Sequence, residues 1–154
     1  MRAYNGQVLD WLFSDPLPAG QPAPDFTATD QDGNRVTLSA FQGKNVVLVF
    51  YPADETTVCT KQLCEFRDSW QQAQSKDTLV FGVNPAGAKR HSSFREHHKL
   101  PFPLLVDQGQ KVAGLYHAKG LIVKRTVYLI GKSGMIRYAR RGKPDPAEVL
   151  AAAE

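Results

Sequence analysis

The sequence predicts a single α/β domain built on a mixed central sheet. Two continuous apolar runs, 46–50 and 79–83, are typical of strands that are buried on both faces. Helical patterns follow these runs, and a β-hairpin and a short helix come last. Because strands that alternate with helices form parallel pairs while a hairpin adds an antiparallel pair, the sheet is predicted to be mixed and flanked by helices.

The N-terminal part is predicted to hold an extension and a hairpin. Residues 1–17 show little periodicity and lie outside the predicted domain, which spans 18–154. Within the extension, a short docking helix is predicted from its apolar residues, which are Val8, Leu9, Trp11, Leu12 and Phe13. Alternating segments at 26–29 and 35–38 flank an Asp-Gly turn, and this arrangement indicates an N-terminal β-hairpin.

The remaining elements follow from local periodicity. A short third strand is expected at 103–106, and helices are expected at 57–74, 89–99 and 109–117. The second hairpin pairs 126–130 with 135–139 around a Gly-Lys-Ser-Gly turn. Proline 146 is suited to the first turn of a terminal helix that runs to residue 153.

Composition and charge exclude several classes of function. The chain has a net charge of +4, but its basic residues are scattered, so no nucleic-acid partner is predicted. It lacks a run of eighteen apolar residues and a signal-peptide pattern at its N-terminus, so we predict a cytoplasmic protein without a membrane partner. Two cysteines are too few for a disulfide scaffold. Their placement is therefore the most informative feature of the sequence.

Cys59 is predicted to lie in the first turn of a helix that directly follows a central strand. Pro52 ends the strand, and Thr56 or Thr57 can cap the helix. In the first turn, unpaired backbone N–H groups and the helix dipole favour a thiolate over a thiol, and the thiolate is the nucleophilic form. The alternative interpretation is an inert, small apolar residue, which is what a single cysteine at a helix start is more often.

The second cysteine, Cys64, is predicted to point away from Cys59. The apolar stripe of the helix contains Cys59, Leu63, Phe66 and Trp70, whereas Cys64 is in register with polar residues, about 140° around the axis. Cys59 should therefore be half-buried and Cys64 near the surface. In an intact helix their Cα atoms would be about 8.6 Å apart, beyond the about 7 Å that a disulfide allows. A bond between them requires the first turns to unwind.

At these residues the sequence resembles a known family. The pattern Pro52-x-x-x-Thr56-x-x-Cys59 matches the signature of peroxiredoxins, and Cys64 followed by Phe66-Arg67-Asp68 is similar to their bacterioferritin-comigratory (Q-type) branch. Segments 23–26, 82–84 and 100–107 agree as well, so the resemblance covers roughly residues 18 to 150. Asn84 stands where serine is more usual in the family.

The resemblance implies a thioredoxin-like fold and a thiol-dependent peroxidase that needs no cofactor. Cys59 would be the peroxidatic residue, which attacks hydrogen peroxide or an organic hydroperoxide and becomes a sulfenic acid. Cys64 would be the resolving residue, which closes an intramolecular disulfide that thioredoxin or a similar dithiol reduces. The state of assembly stays open between a monomer and a weak homodimer.

Three further residues are carried over from the resemblance. Thr56 would hydrogen-bond the thiolate or the peroxide, and Pro52 would shield the sulfur from water. Arg125, at the start of the strand 126–130, would stabilise negative charge at the sulfur and on the departing oxygen. Each also has a plain structural interpretation: a helix cap for Thr56, a strand end for Pro52 and a solvated charge for Arg125. Lys124 is the competing assignment for the cation.

Three other functions are weighed against the peroxidase. No metal site is predicted, because the four histidines (His91, His97, His98 and His117) lack the spacings of metal ligands, and those in the polar helix 89–99 are expected at the surface. A disulfide reductase would need a C-x-x-C motif, which four intervening residues do not provide. A non-enzymatic redox-sensing or binding module on the same scaffold is the third alternative.

Overall fold

The computed structural model describes residues 14–154 and contains a seven-stranded sheet. In chain order the strands are β1 (Thr27–Asp30), β2 (Arg35–Thr37), β3 (Asn45–Phe50), β4 (Thr78–Asn84), β5 (Leu104–Val106), β6 (Thr126–Ile130) and β7 (Ile136–Arg141). Their order across the sheet is β2-β1-β5-β4-β3-β6-β7. The docking helix predicted from Val8, Leu9, Trp11, Leu12 and Phe13 lies outside the described residues.

The sheet is mixed, as the sequence predicts. Strands β3, β4 and β5 run parallel, and the hairpin β1–β2 joins this group antiparallel to β5. On the other side, β6 pairs antiparallel with β3, and β7 with β6. All six residues of β3 are buried, because helices and loops cover both faces of its apolar run.

The helices flank the sheet, and several are shorter than predicted. They are α1 (Thr57–Asp68), α2 (Trp70–Ser75), α3 (Ala88–His97), α4 (Lys111–Leu115) and α5 (Pro146–Leu150). The predicted helix 57–74 breaks at Ser69. The predicted helix 109–117 is divided because Gly109 and Gln110 both have left-handed backbone conformations, with φ of 69° and 56°. Asp145 caps α5 through a bond from the Ala147 N–H.

Two apolar layers lie on opposite faces of the sheet because successive strand residues alternate in direction. One layer contains Phe50, Tyr116 and Tyr128. The other holds the inner face of α1, and there Gly82 of β4 allows a close approach: a Cβ atom on it would lie 2.7 Å from Leu104 and 3.2 Å from Leu63. The absence of a side chain at Gly82 thus sets how closely α1 lies against the sheet.

The residues that precede the predicted domain contact its body. The Leu17 N–H donates to the hydroxyl of Tyr128 at 2.9 Å, and the Ser14 carbonyl accepts a bond from Arg141 at 2.6 Å. Residues 14–17 are therefore tied to β6 and β7. Among the described residues, no helix has the length and apolar character that crossing a membrane requires.

Candidate active site

Cys59 lies in the first turn of α1, as the sequence predicts. Thr56 has extended backbone angles and stands immediately before the helix, and its carbonyl accepts the first helical bond, from the Thr60 N–H at 2.8 Å. Cys59 is thus the third helical residue, among the N–H groups that have no intrahelical acceptor. The side chain is 1% exposed, so it is more deeply buried than the half-buried position that was predicted.

Arg125 accounts for part of this burial, because its guanidinium lies against the sulfur. Its Nη2 donates to Cys59 Sγ at 3.2 Å, although 66 residues separate the two along the chain. The arginine precedes β6, and β6 pairs with β3, the strand that leads to α1. Sheet pairing therefore brings Arg125 to the sulfur.

Gln62 is a site residue that the sequence reasoning missed. Its side chain is fully buried, and its Oε1 accepts a bond from Arg125 Nη1 at 2.7 Å. Its Nε2 in turn donates to the Gly142 carbonyl at 3.4 Å. The signal was the spacing of three residues from Cys59, which puts both side chains on one face of a helix. Gln62 positions the guanidinium so that its second nitrogen meets the sulfur.

Thr56 and Pro52 lie on the loop between β3 and α1. The prediction that Thr56 or Thr57 caps the helix through its side chain is wrong: the helix start has no side-chain cap, and Thr56 Oγ1 donates instead to the Ala53 carbonyl at 3.2 Å. The threonine hydroxyl is turned back onto its own loop because that carbonyl lies three residues before it. Pro52 is half-buried just after β3.

Cys64 lies on the same continuous helix as Cys59, and both thiols are free. Its side chain is half-buried and packs at the margin of the apolar layer beneath α1. Burial is the main cause that raises the pKa of the Cys64 thiol above its ordinary value. The intact helix therefore keeps Cys64 protonated and separate from Cys59.

A buried polar network lies under the loop that leads to Cys59. Asp54 accepts bonds from the Tyr51 hydroxyl at 2.6 Å, from Asn84 Nδ2 at 2.9 Å and from His91 Nδ1 at 2.6 Å. Asn84, at the end of β4, thus anchors the loop to the sheet, which gives this departure from the family pattern a structural reason. His91 Nε2 meets the Leu105 carbonyl at 2.9 Å.

The expectation that His91 is exposed is wrong, because its side chain is fully buried. His91 and Phe94 form the inner face of α3, and Asp54 supplies the polar partner that makes burial of the ring tolerable. The two ring nitrogens face a carboxylate on one side and the Leu105 carbonyl on the other. Burial acts to raise the pKa of Asp54, but the bonds from His91, Tyr51 and Asn84 outweigh it and lower the pKa below the ordinary value.

Asp54→Ala is expected to destabilise the fold by about 3–5 kcal/mol, because three buried donors lose their shared acceptor. Since the pKa of Asp54 is depressed in the folded state, its contribution is present above the ordinary carboxyl pKa of about 4 and is lost as the pH falls through the folded value. Urea unfolding should therefore show the difference from the unmodified chain near pH 7 and a smaller difference in acid.

The matched control for this change is Asp68→Ala, at an exposed carboxylate paired with Arg67. This control should change the free energy of unfolding by less than about 1 kcal/mol. A loss of similar size in both variants, or a difference that does not shrink in acid, would contradict the role assigned to Asp54.

Comparisons with known proteins agree with this geometry. The family model described as "AhpC/TSA family" matches residues 19–139. Peroxiredoxin Q of rice chloroplasts is 42% identical over 134 residues, which cover 82% of this chain and 60% of that protein. Peroxiredoxin Bcp of Bacillus subtilis is 38% identical over 129 residues, which cover 78% of this chain and 82% of that protein. The chain therefore spans about 60% of the length of the rice relative.

Solved structures show the same architecture. Peroxidoxin BcpB of Mycobacterium tuberculosis superposes with a TM-score of 0.83 at 28% identity, over 88% of this chain and 96% of that one. Xanthomonas campestris peroxiredoxin Q gives a TM-score of 0.79 at 24% identity over 87% and 95%, a likeness that shows the fold alone. Fold and site thus define a thioredoxin-like protein with a cysteine held at a helix start. The chain belongs to the AhpC/TSA family of peroxiredoxins, with relatives of the Q and Bcp type.

Proposed function

We propose that this chain is a thiol-dependent peroxidase that reduces hydrogen peroxide and organic hydroperoxides. The observation that carries the proposal is the 3.2 Å contact between Arg125 Nη2 and Cys59 Sγ in the first turn of α1. A fixed positive charge beside a buried sulfur attracts negative charge that forms there. The same charge is placed to stabilise the negative oxygen that forms when the O–O bond breaks.

The first step transfers one oxygen atom to the sulfur. The Cys59 thiolate attacks the terminal oxygen of the hydroperoxide, the O–O bond breaks, and the leaving oxygen takes a proton and departs as water or an alcohol. Cys59 is thereby oxidised to a sulfenic acid. Thr56 is proposed to donate to the peroxide once its hydroxyl turns from the Ala53 carbonyl, and Pro52 is proposed to limit the access of water.

The second step joins the two cysteines. The Cys64 sulfur attacks the sulfenic sulfur, an S–S bond forms, and the hydroxyl leaves as water. Because α1 is continuous from Thr57 to Asp68, the sulfurs meet only after the first turns of the helix unwind. An external dithiol then reduces the disulfide through a mixed disulfide and returns both thiols. We propose thioredoxin or a similar protein as the donor.

The experiment that tests this function is stopped-flow oxidation of the reduced chain by hydrogen peroxide and by an organic hydroperoxide, followed by mass spectrometry. The expected product is a chain that has lost two hydrogen atoms, with one intramolecular disulfide. Oxidation of Cys59 no faster than that of free cysteine would instead favour a non-enzymatic redox-sensing or binding module on this scaffold.

The rate of disulfide closure is expected to rise with pH, through and above the ordinary thiol pKa of about 8.5. Only the thiolate of Cys64 attacks, and the raised pKa of this thiol keeps it protonated in the intact helix at neutral pH. Unwinding relieves the burial that raises this pKa, so deprotonation also favours the open state. The second phase of stopped-flow traces reports this rate. The traces are recorded from about pH 6.5 to about pH 9.5, on both sides of the ordinary thiol pKa.

The control is Cys64→Ser, which should lack the second phase at every pH. A closure rate that stays constant across the same pH range would contradict the assignment of Cys64 as the attacking thiol.

The partners and the compartment follow from the proposed cycle. A disulfide that forms in every turnover has to be reduced in every turnover, so we propose a reducing compartment such as the cytoplasm. We propose that the chain works as a monomer or a weak homodimer, because both reacting cysteines belong to one helix. Analytical ultracentrifugation of the reduced and the oxidised chain measures its state of assembly.

A further inference from the structure

Two histidines and a glutamate that the proposed peroxidase cycle does not use meet beside the active-site loop. His97 is the last residue of α3 and His98 follows it, while Glu55 belongs to the loop between β3 and α1, more than forty residues earlier. Glu55 Oε2 lies 2.9 Å from His97 Nδ1, and Oε1 lies 2.8 Å from His98 Nε2. One carboxylate thus joins two adjacent imidazoles.

The three side chains present ligand atoms at the spacing of a metal site. One ring nitrogen from each histidine and one carboxylate oxygen lie within 4.8 Å of one another. Ligands about 2.0–2.1 Å from a tetrahedral Zn²⁺ stand about 3.3 Å apart, so a small adjustment of the side chains suffices. Two imidazoles and one carboxylate are a set that first-row divalent metals accept. With three protein ligands, the fourth position stays open to water.

The His98 imidazole is held on a rigid support, and the exposed ring of His97 lies beside it, with centroids 4.2 Å apart. The His98 ring packs edge-on against Phe94, with centroids 5.1 Å apart, and Phe94 is fully buried. The His98 carbonyl accepts a bond from Arg67 Nη1 of α1 at 2.7 Å. Because the end of α3 is fixed by both contacts, the cost of ordering the ligands on metal binding is reduced.

Glu55 is presented to the histidines by a left-handed backbone, with φ of 63°. A non-glycine residue holds this conformation only where its surroundings stabilise it, and such positions cluster at ligand sites and switch segments. Glu55 also lies four residues before Cys59. A bond from this residue to α3 therefore ties the start of α1 to a separate element.

We propose that Glu55, His97 and His98 form a binding site for a divalent transition-metal ion, with Zn²⁺ as the representative, that locks the active-site loop in its folded form. This inference rests on the proposed function. Bound metal opposes the unwinding that lets Cys64 reach Cys59, and so it regulates closure of the disulfide. If metal binds only the folded loop, a concentration of ten times Kd slows closure by about tenfold. Attack of Cys59 on peroxide needs no unwinding and stays unaffected.

The binding experiment uses the tag-free full chain with Cys59→Ser and Cys64→Ser, so that no thiol competes for the ion. Titration calorimetry with Zn²⁺ and absorption spectroscopy with Co²⁺ are expected to show one site per chain. Glu55→Gln, His97→Gln or His98→Gln, each introduced into this cysteine-free chain, should weaken metal binding by at least about tenfold. Substitution of residues that only hydrogen-bond to metal ligands already has effects of this size. His117→Gln, at an exposed histidine outside the cluster, is the matched control. Equal affinity in the cluster variants and the control would overturn the site.

The kinetic experiment uses the chain with both cysteines. Zn²⁺ at ten times its Kd should slow the second stopped-flow phase about tenfold and leave the first phase unchanged. In His97→Gln the same concentration should slow the second phase by no more than about twofold and should again leave the first phase unchanged. Metal binding without any effect on closure would overturn the regulatory part. Metal binding in a chain whose Cys59 reacts no faster than free cysteine would refute the peroxidase proposal and leave the metal site standing.

Discussion

Cys59→Ser is expected to lower peroxidase turnover by at least about 10³-fold, to the level of the uncatalysed reaction. The serine hydroxyl stays protonated at neutral pH and cannot take an oxygen atom from a peroxide. Cys64→Ser is expected to behave differently: it should consume one equivalent of peroxide and then stop, because the sulfenic acid on Cys59 has no thiol to condense with.

Consumption of peroxide in the presence of a dithiol-reducing system measures the turnover of Cys59→Ser and of the unmodified chain. For Cys64→Ser, peroxide is added in one equivalent without any external thiol, since a thiol would condense with the sulfenic acid, and mass spectrometry identifies the products. The Cys64→Ser chain should gain one oxygen atom, whereas the unmodified chain should lose two hydrogens. Circular dichroism of both variants checks that the helix persists. Turnover that survives in Cys59→Ser would overturn the assignment of the nucleophile.

Arg125→Gln is expected to lower the second-order rate constant for oxidation of Cys59 by about 10²–10³-fold, the size of effect found when one preorganised donor is removed from a developing negative charge. The change removes both the charge at Sγ and the bond to Gln62. Arg125→Lys keeps the charge but has a single nitrogen for two partners, so an intermediate loss is expected. Stopped-flow fluorescence under pseudo-first-order hydrogen peroxide measures each rate constant.

Lys124→Gln is the matched control, since it removes a neighbouring charge from the same segment. Its rate constant should stay within about twofold of the unmodified chain, as for changes away from the reacting atoms. A larger loss in Lys124→Gln than in Arg125→Gln would show that the cation at the sulfur had been wrongly chosen.

Much of the fold could be predicted from local pattern. The apolar run at 46–50 is typical of a strand buried on both faces, and β3 is one. The Asp-Gly turn between alternating segments specified the hairpin β1–β2. The predicted helix ends were less accurate, because terminal turns depend on single backbone angles. The break at Ser69 and the early end of α5 at Leu150 are examples. The division of the chain into an N-terminal extension, 1–17, and a domain, 18–154, stays a prediction.

In the candidate site, too, the features with a local sequence signal were predicted and those that depend on distant contacts were not. Cys59 in the first turn of a helix follows from the strand, the proline and the periodicity around it, all of which are local. The contacts of Gln62, Asp54 and His91 were not predicted, and the exposed position expected for His91 was wrong, because a polar residue on a mostly polar helix gives no local sign of a buried partner.

The sequence by itself determined where the two residues of the proposed chemistry lie: a cysteine at a helix start and a second cysteine that the intact helix holds out of reach. Only the tertiary structure decided what surrounds them, namely that Arg125 rather than Lys124 meets the sulfur and that Glu55 meets His97 and His98. The reason is physical. Periodicity and capping act over a few residues, whereas these contacts join segments 42 to 66 residues apart that only sheet pairing and helix packing bring together.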